Sequence, residues 1–197
     1  GRVYLSVIEN ERKMKYKGRC VQVVPHIPEE IIRRIKNSQK NHNADITLIE
    51  IGGTVGEYEN ILFLEAIREM KLQHPDDVAV VIVSYLPIPG HLGEMKTKPT
   101  QHAVRLLNQA GINPDLIVAR GQDSLDTPRK EKIARFCGVA KENCISAPDV
   151  DSIYKVPLNF ELEHVGNKLL KALHVEERKS DMSFWEDFYK KSIKKDK

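Results

Sequence analysis

Two lysines, two threonine hydroxyls and a glutamine amide fall within six residues at Lys96-Thr97-Lys98-Pro99-Thr100-Gln101. The run follows Glu94-Met95 and continues into His102, with its proline where a helix could begin. Proline at the first helical position is pre-organised for the helix and loses no needed donor. The amide groups of a first helical turn, at the positive end of the helix dipole, favour an anion. Lys96 and Lys98 add full charges, so the stretch reads as a clamp for phosphate or polyphosphate. Solvated lysines entering an amphipathic helix would satisfy the same pattern.

A second stretch carries a carboxylate. Thr47-Leu48-Ile49-Glu50-Ile51 is an apolar, β-branched run around Glu50 and predicts a buried parallel strand. Glu50 would then sit at its carboxyl end, where open α/β sheets place their ligand crevice. A carboxylate is a hard oxygen ligand suited to Mg²⁺ carrying nucleotide phosphates. Gly52, Gly53 and Gly56 follow, compatible with a tight turn into the helix that residues 59–72 predict.

The elements that must position these groups alternate. Apolar runs at residues 78–86 and 115–119 predict buried strands, and Cys144-Ile145-Ser146 a short one. Runs apolar throughout suit a parallel sheet covered on both faces. Helices are predicted over residues 28–40, 59–72, 99–110 and 128–136, with Gly111 stopping the third. Strand–helix alternation argues for an α/β fold with a doubly wound, mainly parallel sheet and helices on both faces. The proline- and glycine-rich stretch at residues 85–93 predicts a loop shaping a ligand mouth. Near the end, Phe184, Trp185 and Phe188 lie on one face of a predicted helix.

Composition excludes several classes. At 197 residues the chain can bury a real core, and 41% hydrophobic with 30% charged residues is ordinary for a soluble globular domain. A net charge of +3, without a basic stripe interleaved with aromatics, argues against nucleic acid as a partner. No apolar run approaches the ~18 residues of a membrane span. Cys20, Cys137 and Cys144 form no C-x-x-C pair and predict reduced thiols in a cytosolic compartment. The seven histidines lack the spacing of a zinc site.

Four runs together carry a family resemblance: Val21-Gln22-Val23-Val24-Pro25-His26, Glu50-Ile51-Gly52-Gly53-Thr54-Val55-Gly56, the Lys96 to Gln101 run, and Asp149-Val150-Asp151-Ser152-Ile153-Tyr154. In order and spacing they resemble the CTP synthase family, specifically its N-terminal synthetase, or amidoligase, domain. The resemblance covers residues 1–175 and leaves 176–197 as a charged and aromatic linker helix toward a glutaminase domain. It implies a P-loop NTPase-like, Rossmann-like fold and an ATP-dependent C–N ligase of pyrimidine biosynthesis. Such an enzyme aminates UTP to CTP through a 4-phosphorylated UTP, with ammonia from glutamine hydrolysis in a separate amidotransferase domain. It also implies Mg²⁺, ATP as co-substrate, CTP as product and inhibitor, a cytoplasmic homotetramer, and neither nucleic-acid nor membrane partners.

Position by position, the resemblance makes Glu50 the Mg²⁺ ligand and Lys96 and Lys98 the catalytic lysines. Gln22, His26, Glu57, Tyr58, Glu59, Arg68, Lys96, Thr97, Lys98, Pro99, Thr100, Gln101 and Lys132 become UTP/CTP contacts. Arg120, Asp149 and Val150 match the ATP adenine pocket. Glu57 and Tyr58 depart from the family's Asp-Ile-Glu, whereas Glu59 retains it.

A Walker-type Gly-x-x-x-x-Gly-Lys-Ser/Thr run does not occur in these residues. Gly1 resembles an internal point of the family's synthetase domain. A fragment, an ordered remnant or a split gene product is therefore expected, inactive when alone. Two other readings remain open. One is a nucleotide-binding or oligomerising module without catalysis of its own; the other is a different ATP-dependent amidoligase of the same fold, such as a dethiobiotin synthetase relative.

Overall fold

A computed structural model describes residues 1–90 and 93–194. The chain divides into two compact units: Gly1–Pro75 with Gln109–Ile112, and Asp76–Asn108 with Asn113–Lys197.

The first unit is helical. Its helices are α1 (Arg2–Arg12), α2 (Val23–His42) and α3 (Ile61–Gln73). α2 is kinked at Val24, which keeps extended dihedrals ahead of Pro25, as a residue before proline prefers. Val7, Ile27, Ile31 and Ala66 form the buried centre of this unit. Among them Glu30 is buried with its charge satisfied. It accepts from Arg33 at 2.7 and 2.8 Å and from Arg34 at 2.8 Å. These hydrogen bonds, Arg33 first, hold its carboxyl down to about 2. Apolar periodicity predicts α2 and α3; α1 is an addition made by the structure.

Residues 47–51 are not a strand. They run without regular structure, and Leu48 is 90% exposed. Extended backbone becomes a strand only when a neighbour supplies its hydrogen-bond ladder, and none of the three described strands pairs with this segment. Glu50 therefore does not occupy the carboxyl end of a parallel strand.

The second unit is α/β. Strands β1 (Val81–Leu86), β2 (Leu116–Gly121) and β3 (Cys144–Pro148) form a parallel sheet in that order. α4 (Lys98–Gln109) connects β1 to β2, and α5 (Thr127–Cys137) connects β2 to β3. Gly111, at φ 78°, follows α4 as its stop. α6 (Val156–Leu162), α7 (Val165–Ala172) and α8 (Ser183–Ser192) complete the order.

Register explains the packing. Ile82, Ile117 and Cys144 share one face, with Ser84, Ala119 and Ser146 beside them. All six are buried. On the opposite face Leu116, Val118 and Ile145 pack with Val165, Phe160 and Leu169 of α6 and α7. β1 lacks such cover on that face: Val81, Val83 and Tyr85 are exposed. The expectation of a sheet covered on both faces holds for β2 and fails for β1, whose buried residues alternate.

α8 docks through its aromatic face. Trp185 Nε1 donates to the Tyr154 carbonyl at 2.8 Å, and the Tyr154, Trp185 and Phe188 rings meet at centroid distances of 4.9–6.3 Å. Phe184, expected on the same face, is exposed. No helix among the described residues is long and apolar enough to cross a membrane.

Candidate functional site

In the second unit the basic run lies at the carboxyl edge of the sheet. After β1 the chain turns through Pro87, and the Lys96 amide donates back to the Pro87 carbonyl at 2.9 Å. Within the loop expected over residues 85–93, His91 and Leu92 lie outside the described residues. The Thr97 carbonyl accepts from the Gln101 amide at 3.1 Å, which makes Thr97 the residue that opens α4. Pro99 is thus second in the helix, one place later than expected, and brings no N–H to its first turn.

The two threonines face inward. Gln101 Nε2 donates to Thr97 Oγ1 at 3.1 Å. Thr100 Oγ1 lies 2.9 Å from Ser84 Oγ, and both residues are buried. These bonds tie the run to itself and to β1. Lys98 and Pro99 are exposed and Lys96 half-buried.

Two cations meet one carboxylate, and a third adds its charge from farther off. Lys96 Nζ donates to Glu94 Oε2 at 2.7 Å, and an Arg129 terminal nitrogen lies 3.8 Å from Glu94 Oε1. The hydrogen bond from Lys96, then the charges of Lys96, Arg129 and Lys132, hold the Glu94 carboxyl below its ordinary range. Lys96 and Lys132, far apart in sequence, therefore both act on the same carboxylate, Lys96 in direct contact and Lys132 through its charge. Arg129 is the residue that sequence reasoning misses. Asp126-Thr127-Pro128 is the signal that could find it: an N-cap acid and an early proline start α5 there. Residues three apart then share a helix face, placing Arg129 beside Lys132.

Arg120 and Asp149 are also brought together at this edge. Their side chains approach to 3.7 Å, and the Asp149 amide donates to the Gly121 carbonyl at 2.9 Å. Gly121 leaves room for its other neighbours: a Cβ there would lie 3.2 Å from Met95 Cε and 3.3 Å from the Leu86 carbonyl oxygen. Val150 follows, half-buried. Parallel α/β sheets place ligands beyond the carboxyl ends of their strands.

The first unit holds the remaining expected residues. Gln22 and His26 meet at the start of α2. His26 Nδ1 lies 3.1 Å from both the amide and the carbonyl of Gln22, so one tautomer accepts from the first and the other donates to the second. The His26 ring packs edge-on against Tyr16 at 5.0 Å. Glu50 borders a mainly apolar cleft with Ile31, Ile49, Ile51 and Phe63, and none of the cleft residues is another expected contact. Glu57, Tyr58 and Glu59 are exposed in the turn before α3, with Tyr58 at 91%. Arg68 forks onto Glu65 at 2.9 and 2.6 Å.

The donor set bears on metal chemistry. Glu50 offers a single hard carboxylate, and no group of three or more His, Cys, Asp or Glu side chains converges among the described residues. Mg²⁺ commonly binds through one or two carboxylates plus phosphates and water. Glu50 fits that mode. Cys137 and Cys144 are buried, and burial pushes both thiols up to about 11, so neither is a nucleophile.

Comparison with known proteins points the same way as the motifs. The profile of the family described as CTP synthase N-terminus matches residues 1–175. A CTP synthase of Pyrococcus horikoshii is 48% identical over 187 residues, covering 94% of this chain and 34% of that protein. A Prochlorococcus marinus CTP synthase is likewise 48% identical, with 94% and 35% covered. One from Methanothermobacter thermautotrophicus is 42% identical, again with 94% and 35% covered. The chain spans about a third of the length of the curated relatives it matches. With the basic run at the sheet edge and the family profile in agreement, the chain belongs to the CTP synthase N-terminus family.

Proposed function

We propose that this chain is the nucleotide-handling part of a CTP synthase, an ATP-dependent C–N ligase that converts UTP to CTP. The observation that carries the reading is the meeting of Lys96 and Arg129 at the Glu94 carboxylate, with the charge of Lys132 also felt there, at the carboxyl edge of a parallel sheet. A site that sets two cations on one exposed anion, with further positive charge near it, suits a triphosphate.

The chemistry accounts for the residue types. Uracil O4 is a poor leaving group, so the γ-phosphoryl of ATP is transferred to it. Ammonia then attacks C4 and phosphate departs with the O4 oxygen. Phosphoryl transfer depends mainly on positioning and electrostatic stabilisation. Lys96, Lys98 and Lys132 bind and orient the UTP triphosphate, while the Thr97 and Thr100 hydroxyls hold the run rigid. Gln101 and Pro99 shape its helical start. Arg120, Asp149 and Val150 are assigned to the adenine of ATP, where a guanidinium can stack on the base. Glu50 would hold Mg²⁺, which when bound neutralises phosphate oxygens. Gln22, His26, Glu57, Tyr58, Glu59 and Arg68 are assigned to the pyrimidine nucleotide.

The reading extends to a cytoplasmic homotetramer in which residues 1–175 form the synthetase part and 176–197 a linker. Ammonia would come from glutamine in a separate domain. Sedimentation of the full-length protein should show a larger species with UTP and ATP; a monomer under both conditions would defeat the assembly. For the 197 residues alone a binding module is favoured, because they contain no Walker-type run. CTP formation by the purified chain from ammonia, ATP and UTP would overturn that second reading.

Lys98→Ala tests the main assignment. Loss of a charge-assisted hydrogen bond, worth ~1.5–3 kcal/mol, should weaken UTP binding about tenfold or more by calorimetry. Unchanged affinity would remove the run from the site.

A further inference from the structure

We propose that Glu94 is an internal counter-anion at the polyphosphate site, displaced when ligand enters, and that Arg129 then becomes a further phosphate ligand. The proposal rests on the reading of this cluster as a polyphosphate site. It adds how the cations are neutralised by the chain itself and what selects their ligand.

The geometry is that of a bridging anion. The two carboxylate oxygens of Glu94 serve different cations, Oε2 facing Lys96 at 2.7 Å and Oε1 facing Arg129 at 3.8 Å. Lys132 adds its charge to the same carboxylate. Phosphate oxygens shared between a lysine and an arginine would take the same places. Arg129 is held ready by the chain itself: its Nε donates to the Met95 carbonyl at 3.3 Å, and Asp126 pairs with its guanidinium. Asp126 is also the N-cap of α5, accepting from the Arg129 amide at 2.9 Å. That arrangement aims the guanidinium at the segment carrying Glu94.

Glu94 can leave easily. Its side chain is 60% exposed, and its ion pairs are the contacts it makes to the cluster. Exposed pairs of this kind are weak, so rotation of one glutamate into water costs little. The exchange discriminates by charge. An anion with one charge replaces another and gains nothing, whereas a polyphosphate brings several charges against one. Glu94 thereby sets a threshold that favours triphosphates over singly charged anions.

The test uses the full-length protein with Glu94→Gln, and with Glu94→Gln combined with Arg129→Gln, titrated with inorganic tripolyphosphate and separately with UTP. Removing the competing charge should tighten tripolyphosphate binding about three- to tenfold, and the added Arg129→Gln should abolish that gain. Weaker or unchanged tripolyphosphate binding in Glu94→Gln would overturn the proposal, because Glu94 would then be orienting Lys96 rather than competing with ligand. Tighter binding that survives Arg129→Gln would overturn the role of Arg129. The nucleotide reading fails separately. If tripolyphosphate binding tightens while UTP does not bind, the exchange stands and that reading falls; if Lys98→Ala loses UTP while Glu94→Gln changes neither ligand, the reverse holds.

Discussion

Val81-Ile82-Val83-Ser84-Tyr85-Leu86 and Ile46-Thr47-Leu48-Ile49-Glu50-Ile51 are close to equivalent as strings of six, yet only the first is a strand. All six of its residues pair in register with Leu116 to Gly121. The second pairs with no described strand. The consequence is visible in two leucines: Leu86 is fully buried, and Leu48 is 90% exposed. β-propensity measures fit to a pleated, half-buried surface, and without a neighbour there is no such surface to fit. The difference reaches the candidate site. Lys96 is anchored to the end of β1 through Pro87, whereas Glu50 lies in a segment that no described strand holds.

Glu50→Gln in the full-length protein should give the largest effect. An exposed side chain outside the sheet can lose its charge without unfolding the chain. CTP formation should fall by roughly a hundredfold or more, the scale of losing one preorganised electrostatic group, with an unchanged circular dichroism spectrum. A near-normal rate would take Glu50 out of the metal site.

The buried acid of the helical unit should come next. The folded pKa of Glu30 is lowered from 4.5 to about 2, so it contributes stability that is fully present above its unfolded value. That contribution is lost as pH falls from about 5 through about 2. Each tenfold change in proton affinity between the unfolded and folded chain is worth ~1.4 kcal/mol. Glu30→Ala, which leaves Arg33 and Arg34 to water, should therefore cost about 1–3 kcal/mol at neutral pH. Urea melts at pH 7 and pH 3 check both statements: the variant should lose less on acidification than the parent. Equal losses would mean that Glu30 does not carry the acid sensitivity.

The smallest effects bear directly on the two six-residue strings. Thr100→Val leaves Ser84 Oγ without its buried partner and should destabilise the chain by about 1–3 kcal/mol. Leu48→Ser removes an exposed apolar side chain and should stay within about 0.5 kcal/mol. A loss at Leu48 as large as that at Thr100 would show that the Leu48 side chain is packed after all.

Much of the fold is legible in the sequence because its signals are local. Helical periodicity locates α2 to α5, and the apolar runs locate β1, β2 and β3 to within a few residues. α1 escapes such a reading, since its exposed Tyr4, Leu5 and Ile8 blur the apolar stripe that Val3 and Val7 contribute. At the site, Lys96 and Lys98 are readable from their own chemistry. Lys132 stands out only through family resemblance, and Arg129 only through the Asp126-Thr127-Pro128 helix start, because a helix cation looks the same in sequence whether or not a carboxylate faces it.

The residue string by itself determined the βαβ alternation, the helix starts near Thr97 and Asp126, and the kinds of charge available. Those follow from periodicity, capping and composition, which act over a few residues. Tertiary structure alone decided which apolar run became a strand, that the Thr97 and Thr100 hydroxyls turn inward, and that Lys96 and Arg129 share one carboxylate. The reason is physical: hydrogen-bond ladders, burial and Coulomb interactions are fixed by distance in space, and residues 96 and 129 acquire a distance only when β1 and α5 have been placed in the same unit.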